Sequence, residues 1–260
     1  MRIATWNING IRARIDFVEM WLKERKPDLL GLQELKATEE QIPSEVFEAL
    51  GYHMISHPQK SWNGVAILAK NPIEIVQKGL PGQENAGSRL IATQLQSGLK
   101  FITIYCPNGK SIAHPDYQAK LDWYDSLRSY LSDFYRPSDD IILCGDFNVV
   151  PTPLDGWDED DRQNRIFRSA EERDRVEAII DFGFYDLYRH LNPNQPGFSW
   201  WDYRAGGFPK NHGLRIDFML GTSSLRKKVR CVIPDKEWRR KVADLTPSDH
   251  APVFADFDMG

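Results

Sequence analysis

The chain has only three cysteines, Cys106, Cys144 and Cys231, odd in number and far apart. That excludes a disulfide framework and a zinc site built on paired thiols. Two of the three fall inside apparent strands, as reduced core thiols of a cytoplasmic protein would. No apolar run approaches the roughly 20 residues that a membrane-spanning helix needs, and the N-terminus opens on a strand rather than on a basic segment followed by an apolar one. Neither a membrane span nor a secretory leader is therefore expected, and a cytoplasmic location is. Internal repeats, low-complexity tracts and linkers are also missing, so the expectation is one domain over residues 1–260, long enough to bury a sizeable core. A basic excess is absent: the net charge is -4 and the pI near 5.9. This argues against a uniformly basic nucleic-acid binder, although a local basic face would not show in a sum.

What the chain does have is a repeated design. Ile141-Ile142-Leu143-Cys144 is an uninterrupted apolar run, the mark of a strand buried on both faces; it ends in Gly145-Asp146-Phe147-Asn148 before Val149-Val150-Pro151-Thr152-Pro153 breaks it. Asp146 and Asn148 share a face if the backbone stays extended; taken alone, the pair can equally be read as capping the next turn. Five other segments repeat the pattern. Arg2-Ile3-Ala4-Thr5-Trp6 runs into Asn7-Ile8-Asn9-Gly10, Leu29-Leu30-Gly31-Leu32 into Gln33-Glu34, and Phe101-Ile102-Thr103-Ile104 into Tyr105-Cys106-Pro107-Asn108-Gly109. Asp217 interrupts the apolar run from Leu214 to Leu220, and Ser248-Asp249-His250 leads into Ala251-Pro252-Val253-Phe254-Ala255. Strands stacked side by side can bring such ends to one cleft. A cleft holding Glu34, Asp146, Asp217 and Asp249 would repel itself without a cation, so the pattern points to a metal site.

Along the chain, Asp16 and Glu19 resemble a capping box for a helix with Phe17, Val18, Trp21 and Leu22 on its apolar face and Pro27 as its stop. Arg12 and Arg14 then belong to a loop near the cleft, where they are either substrate contacts or solvated charge. A short helix over residues 44–50 ends at Gly51, and strands around residues 65–68, 89–95 and 101–105 form a meander. Tyr117, Leu121, Tyr124, Leu127, Leu131 and Phe134 recur every three or four residues, which predicts a long helix covering one face. Residues 155–168, with the acidic run Asp158-Glu159-Asp160-Asp161, read as a surface loop, and Ser169 with Glu172 starts a helix that buries Val176, Ile179 and Ile180. In Phe198-Ser199-Trp200-Trp201-Asp202-Tyr203-Arg204 and the Gly-rich stretch up to Lys210, aromatics interleave with cations. That suits stacking on a base or sugar and holding phosphates, while at least one of the two tryptophans is expected in the core.

Oxygen donors from Asp, Glu and Asn, with one His and no Cys, select a hard cation such as Mg²⁺, with Mn²⁺ as its substitute. More acids are present than one ion needs, so some are free for proton work: Asp217 to orient His250, Asp146 to take a proton from attacking water. Tyr105 and Asn148 can donate to charge developing on phosphorus-bound oxygen, and the chemistry that results is hydrolysis of a phosphate ester. The other five histidines, His53, His57, His114, His190 and His212, lack such an acid partner and are read as structural.

Together, Trp6-Asn7-Ile8-Asn9-Gly10, Gln33-Glu34, Tyr105 with Pro107-Asn108-Gly109, Gly145-Asp146-Phe147-Asn148 and Ser248-Asp249-His250 resemble the endonuclease/exonuclease/phosphatase superfamily. That much is shared by DNase I-like nucleases, inositol polyphosphate phosphatases and sphingomyelinases. The stretch Trp200-Trp201-Asp202-Tyr203-Arg204, placed before Gly213-Leu214-Arg215-Ile216-Asp217, is similar to exonuclease III and its apurinic/apyrimidinic endonuclease relatives. The resemblance implies a four-layer α/β sandwich, two mixed β-sheets face to face and flanked by helices. It further implies a Mg²⁺-dependent, monomeric enzyme of base excision repair that acts on duplex DNA with abasic sites or blocked 3′ ends: incision 5′ of the abasic site, 3′ to 5′ exonuclease action and 3′ end cleaning. By position, Glu34 matches the principal metal ligand with Asn7 beside it, and Asp249 an acid near the metal. Asp146 matches the residue that aligns or deprotonates the water, Asn148 assists, Tyr105 contacts phosphate, and Asp217 with His250 forms the Asp-His pair. Trp200 and Leu214 fall in the wall of the sugar pocket and Arg204 where the family reaches into the duplex; Arg12, Asn108 and Lys210 complete the expected substrate contacts. Asn9 stands where some relatives have Asp, which leaves a second metal position open, and Leu214 where some have Trp. Two rivals remain on the residues alone: a phosphatase of lipid or inositol phosphates, which gives no reason for residues 200–204, and an inactive binding module, which gives none for the full set of acids.

Overall fold

The structure, a computed structural model, describes residues 1–158 and 165–259. The acidic run beginning at Asp158 therefore lies, from Glu159 on, outside the described residues. The chain starts with β1 (Arg2–Asn7), α1 (Ile11–Arg25), β2 (Leu29–Gln33), α2 (Ser44–Ala49), β3 (His53–His57), β4 (Val65–Ala69) and β5 (Glu74–Lys78). Next come β6 (Leu90–Gln94), β7 (Lys100–Tyr105), α3 (Pro115–Phe134), β8 (Ile141–Asp146), α4 (Ala170–Ile180), β9 (Phe184–Asp186) and α5 (Leu187–Leu191). It closes with β10 (Trp200–Trp201), β11 (Gly213–Leu214), β12 (Asp217–Thr222), α6 (Ser223–Lys228), β13 (Val229–Pro234) and β14 (Val253–Phe257).

Two six-stranded sheets result, β13-β14-β1-β2-β4-β3 and β5-β6-β7-β8-β12-β9, with β10 and β11 as a separate ribbon. Each sheet has one parallel pair at its centre, β1 with β2 and β7 with β8, and antiparallel neighbours elsewhere. Parallel strands end on the same side, so Asn7 stands opposite Gln33 in one sheet and Tyr105 opposite Asp146 in the other. Strand β12 runs the other way and begins where β8 stops, Asp217 opposite Asp146.

Side-chain alternation builds the layers. Ile142 and Cys144 point between the sheets with Ile3, Ile67, Phe101 and Met219, while Ile141 and Leu143 point outward onto Tyr124, Leu127 and Leu131 of α3 and Val176 and Ile179 of α4. On the far side, Phe17, Val18, Trp21 and Leu22 of α1 cover Ala4, Leu30 and Leu32. The four-layer sandwich expected from the resemblance is the architecture found, and each fully buried Val, Leu, Ile, Phe or Met in it contributes about 1.5–3 kcal/mol of burial free energy. Near the site the sheets come very close: a Cβ on Gly31 would meet Thr103 Oγ1 at 2.5 Å. Gln33 Nε2 bridges the two sheets there, donating to Thr5 Oγ1 at 2.9 Å and Thr103 Oγ1 at 2.8 Å.

Several local expectations need correction. Helix α1 starts at Ile11, not at Asp16, and Gly10 at its N-cap makes no side-chain cap. The amides of Gly10 and Ile11 bond instead to the carbonyls of Glu34 and Leu35, at 2.8 and 3.0 Å. Main-chain carbonyls of the segment after β2 thus do what a capping side chain would do. Arg12 and Arg14 are consequently in the first turn of a helix rather than in a loop. The run from Leu214 to Leu220 is two strands, because Leu214 pairs with Trp200 in the ribbon whereas Asp217 opens β12. Strands β3 and β5 carry no clear alternation and lie outside the meander expected from the sequence. Phe134, at the end of α3, is exposed, and the β14 pairing begins at Val253. The backbone after β8 does not stay extended: Asn148 has φ 52, so it does not share a face with Asp146 by strand alternation.

Candidate active site

The exits of the central strands meet. Ligand atoms of Glu34, Asp146 and His250 all lie within 4.8 Å of one another. Asn7, at the end of β1, holds the two acids together: its Nδ2 donates to Glu34 Oε1 at 2.8 Å and to Asp146 Oδ2 at 2.9 Å. Its amide nitrogen, which cannot ligate, therefore faces the acids, and its Oδ1 accepts from the Asn9 amide at 3.0 Å. Glu34 leaves β2 with φ 57, a left-handed turn that swings its side chain off the strand.

His250 is fixed from every side. Its Nδ1 lies 2.9 Å from Asp217 Oδ2, which also accepts from Ser199 Oγ at 2.6 Å, and its Nε2 points toward Asp146 Oδ2 at 3.8 Å. Its backbone is tied to β1, since Trp6 Nε1 donates to His250 O at 3.1 Å and Ser248 Oγ donates to Asn7 O at 2.7 Å. Burial opposes charge on the imidazole, but the Asp217 carboxylate in contact, then Asp146 and Asp249, outweigh it and raise the His250 pKa. Burial raises the Asp146 pKa, Asp217 and Glu34 add to the rise, and His250 and the Asn7 hydrogen bond resist it. The Tyr105 hydroxyl is likewise pushed well above its usual value by burial and by Glu34 and Asp146, so it is a donor.

The turn after β8 is built by several partners. Gly145 has φ 142, and a Cβ there would meet Ile104 O at 1.9 Å, which is why the acid must follow a glycine. Asp146 Oδ1 accepts from the Asn148 amide at 2.9 Å, so the acid does cap its own turn as well as facing the site. Asn148 Nδ2 donates to Cys106 O at 2.9 Å, which leaves its second N–H for a ligand. Beneath the turn, Tyr124 OH bonds the Phe147 carbonyl, and the fully buried Lys120 donates to Asn148 O at 2.7 Å, Asn108 O at 3.3 Å and Glu172 Oε1 at 2.5 Å.

Around this centre, Asp249 Oδ1 accepts from Asn9 Nδ2 at 2.9 Å and its Oδ2 from Trp200 Nε1 at 3.0 Å. Burial works against its charge, but His250 and those two donors hold the carboxyl below the usual range. Asn9 Oδ1 accepts from Lys36 Nζ at 2.6 Å, and the same ammonium lies 2.5 Å from Glu34 Oε2. Trp200 pairs with Leu214, which is buried beside Val150 and Ile216; Trp201 is core, as one of the tryptophans was expected to be. Arg12, Asn108, Arg204 and Lys210 are exposed and sit on three separate segments, Arg204 and Lys210 sharing the connection between β10 and β11. Arg204 folds back on Asp202 at 2.8 Å, and Asn108 Oδ1 accepts from the Lys110 amide at 3.0 Å.

The structure thus joins Asn7, Glu34, Asp146, Asp217 and His250 directly and Asp249 with Trp200 and Leu214 next to them. Two carboxylates and an imidazole at this spacing fit a divalent cation, and the surplus of acids over Lys36 and His250 calls for one. Sequence reasoning missed Lys120 with Glu172, and Lys36. A signal for the first existed: Lys120 sits at helical spacing between Tyr117 and Tyr124, inside the apolar face of α3.

Residues 4–250 match the model of the endonuclease/exonuclease/phosphatase family. The chain belongs to that family. The family is metal-dependent, in keeping with the acid cluster. The chain is 37% identical to exodeoxyribonuclease III of Haemophilus influenzae over 269 aligned positions, 99% of this chain and 100% of that one. Its fold superposes on an AP endonuclease from Archaeoglobus fulgidus with TM-score 0.95, at 35% identity and full coverage of both chains. It also superposes on a 3′ phosphatase from Neisseria bound to a product DNA hairpin, with TM-score 0.93, 33% identity and 99% coverage of each. Among the described residues no helix is long and apolar enough to cross a membrane.

Proposed function

We propose that this chain is a Mg²⁺-dependent DNA repair nuclease, acting as one domain over residues 1–260 and as a monomer. It hydrolyses the phosphodiester 5′ of abasic sites in duplex DNA, and it trims or cleans 3′ ends by the same chemistry. The observation that carries this reading is the Glu34, Asn7, Asp146, His250, Asp217 constellation at the mouth of the two sheets, in a chain whose full-length relatives include an exodeoxyribonuclease III and an AP endonuclease.

Glu34 would hold the ion, with Asn7 setting its distance from Asp146 and with Asp249 supplying further negative charge. The bound ion would screen the phosphate and stabilise charge on its oxygens. Asp146 aligns the attacking water and accepts its proton. Asp217 orients the His250 ring through Nδ1, so that Nε2–H can donate to the reacting phosphate. Tyr105 and Asn148 donate to the non-bridging oxygens, where preorganised donors count most. Trp200 and Leu214 wall the base-free sugar, and Arg12, Asn108, Arg204 and Lys210 hold the flanking strands. The deciding assay is Mg²⁺-dependent cleavage of a duplex with one stable abasic analogue, beside intact duplex, a 3′-phosphorylated end and inositol phosphate. Cleavage of the first and third supports the reading; cleavage of inositol phosphate alone overturns it.

A further inference from the structure

Trp157 and His212 lie ring on ring, their centroids 3.8 Å apart and their planes 11° from parallel. Trp157 is nevertheless 47% exposed. The two rings stand at the wall of an open cavity of about 800 Å³, between the segment after β8 and the one leading into β11. Leu154 and Phe198 give that cavity apolar surface, and Lys210 and Asn211 give it a cation and an amide.

Its place ties it to the reacting groups. Trp157 N donates to Gly213 O at 3.0 Å, Gly156 pairs with Leu214, Leu214 pairs with Trp200, and Trp200 Nε1 reaches Asp249 at 3.0 Å. A short backbone ladder of Gly156, Leu214 and Trp200 therefore separates the cavity from the acids. An indole held flat on an imidazole while open to water forgoes burial, yet it offers an aromatic face that is already oriented, so little rotamer freedom is lost when a third ring stacks on it. A flat aromatic face beside an ammonium is the chemistry that takes a nucleobase and its phosphate. A base inside the duplex has both faces covered by its neighbours and a paired terminal base is held in line with the helix, whereas an unpaired terminal base is free to leave the stack, so an unpaired base is the occupant the platform suits.

We infer that the Trp157–His212 stack is a platform for an unpaired nucleobase of the DNA strand near the scissile phosphate, with Lys210 beside that nucleotide's phosphate. This rests on the DNA reading above. It makes ends with a mismatched or frayed terminal base a substrate class that the protein grips by a contact requiring the base to leave its pair.

The test uses the full chain without divalent metal, so that nothing is cleaved, and two duplexes of one sequence, one fully paired and one with a mismatched 3′-terminal 2-aminopurine. Binding of the mismatched duplex should quench the 2-aminopurine fluorescence by stacking on the indole. Trp157→Ala should abolish the quench and raise Kd for that duplex roughly 5- to 150-fold, leave Kd for the paired duplex unchanged, and Trp157→Phe should recover most of the loss. Equal effects on both duplexes, or none on either, overturn the platform while leaving the nuclease reading intact. A parent protein that neither binds nor, with Mg²⁺, cleaves any of these duplexes overturns both.

Discussion

The Nζ of Lys120, in the second turn of α3, donates to the main-chain carbonyl of Asn148 at 2.7 Å. With Asn108 O at 3.3 Å and Glu172 at 2.5 Å, one buried ammonium ties the loops after β7 and β8 to α4. Lys120→Met should destabilise the fold by about 3–5 kcal/mol, because Glu172 is left charged and buried without its partner. The double variant Lys120→Met/Glu172→Gln should recover most of that stability, since Gln still caps the Ser169 amide, yet keep a kcat deficit with little change in KM. Denaturant titration and single-turnover cleavage separate the two effects; a double variant with parental kcat would show that Lys120 is structural only.

Metal binding is expected to depend on Glu34 and to be resisted by Lys36. Glu34→Ala should lose Mn²⁺ binding by titration calorimetry and most activity, since a carboxylate ligand goes without repacking either sheet. Lys36→Met removes the ammonium that lies 2.5 Å from Glu34 Oε2, so the variant should bind Mn²⁺ more tightly than the parent. Weaker binding in that variant would mean that Lys36 orients Glu34 rather than competing with the ion.

Asp146→Asn keeps an oxygen to accept from the Asn148 amide but cannot accept a proton. The expected outcome is a folded protein that binds abasic duplex as the parent does and turns it over at least ~100-fold more slowly. A parental single-turnover rate removes Asp146 from proton transfer.

Acid stability should depend on Asp155. Burial opposes its charge, but Arg215, with Nε 2.6 Å from Oδ1, and Arg189 more than compensate, so its folded pKa lies below the usual carboxylate value. A depressed folded pKa contributes stability above the unfolded value of about 3.9, lost as pH falls through the folded value. Unfolding free energy should therefore fall with acidification below about pH 4. Asp155→Asn should be less stable at neutral pH and show a flatter decline in that window; an unchanged slope in denaturant titrations would contradict it.

Substrate discrimination should separate two residues. Trp200→Ala should hurt incision at an abasic analogue more than binding to intact duplex, because only a sugar turned out of the helix meets the wall formed with Leu214. Arg204→Ala should weaken both duplexes together, and if its contact is a phosphate, the salt slope should flatten by about one unit. Binding at two salt concentrations decides the matter; equal losses on both duplexes for Trp200→Ala would place that residue in the core.

By itself the sequence determined the central strands and the polar groups beside them, though not β3 and β5. Apolar runs that end in Asn7, Glu34, Tyr105 and Asp146, or that follow Asp217 and His250, are a local pattern, and side-chain alternation along a strand follows from backbone geometry alone. The capping box at Ser169 and Glu172 was legible for the same reason, since both partners lie within one turn. Tertiary structure decided what depends on partners distant in the chain. The first turn of α1 is capped by carbonyls of Glu34 and Leu35, which no pattern near Gly10 announces. The left-handed Asn148 is held by Lys120 and Cys106, from elements that only the fold brings together. Asn7, legible as a polar strand end, became the bridge between two acids only because two separate sheets, each with its own parallel pair, end at the same edge; hydrogen bonding is short-ranged, and only packing sets the distances over which it acts.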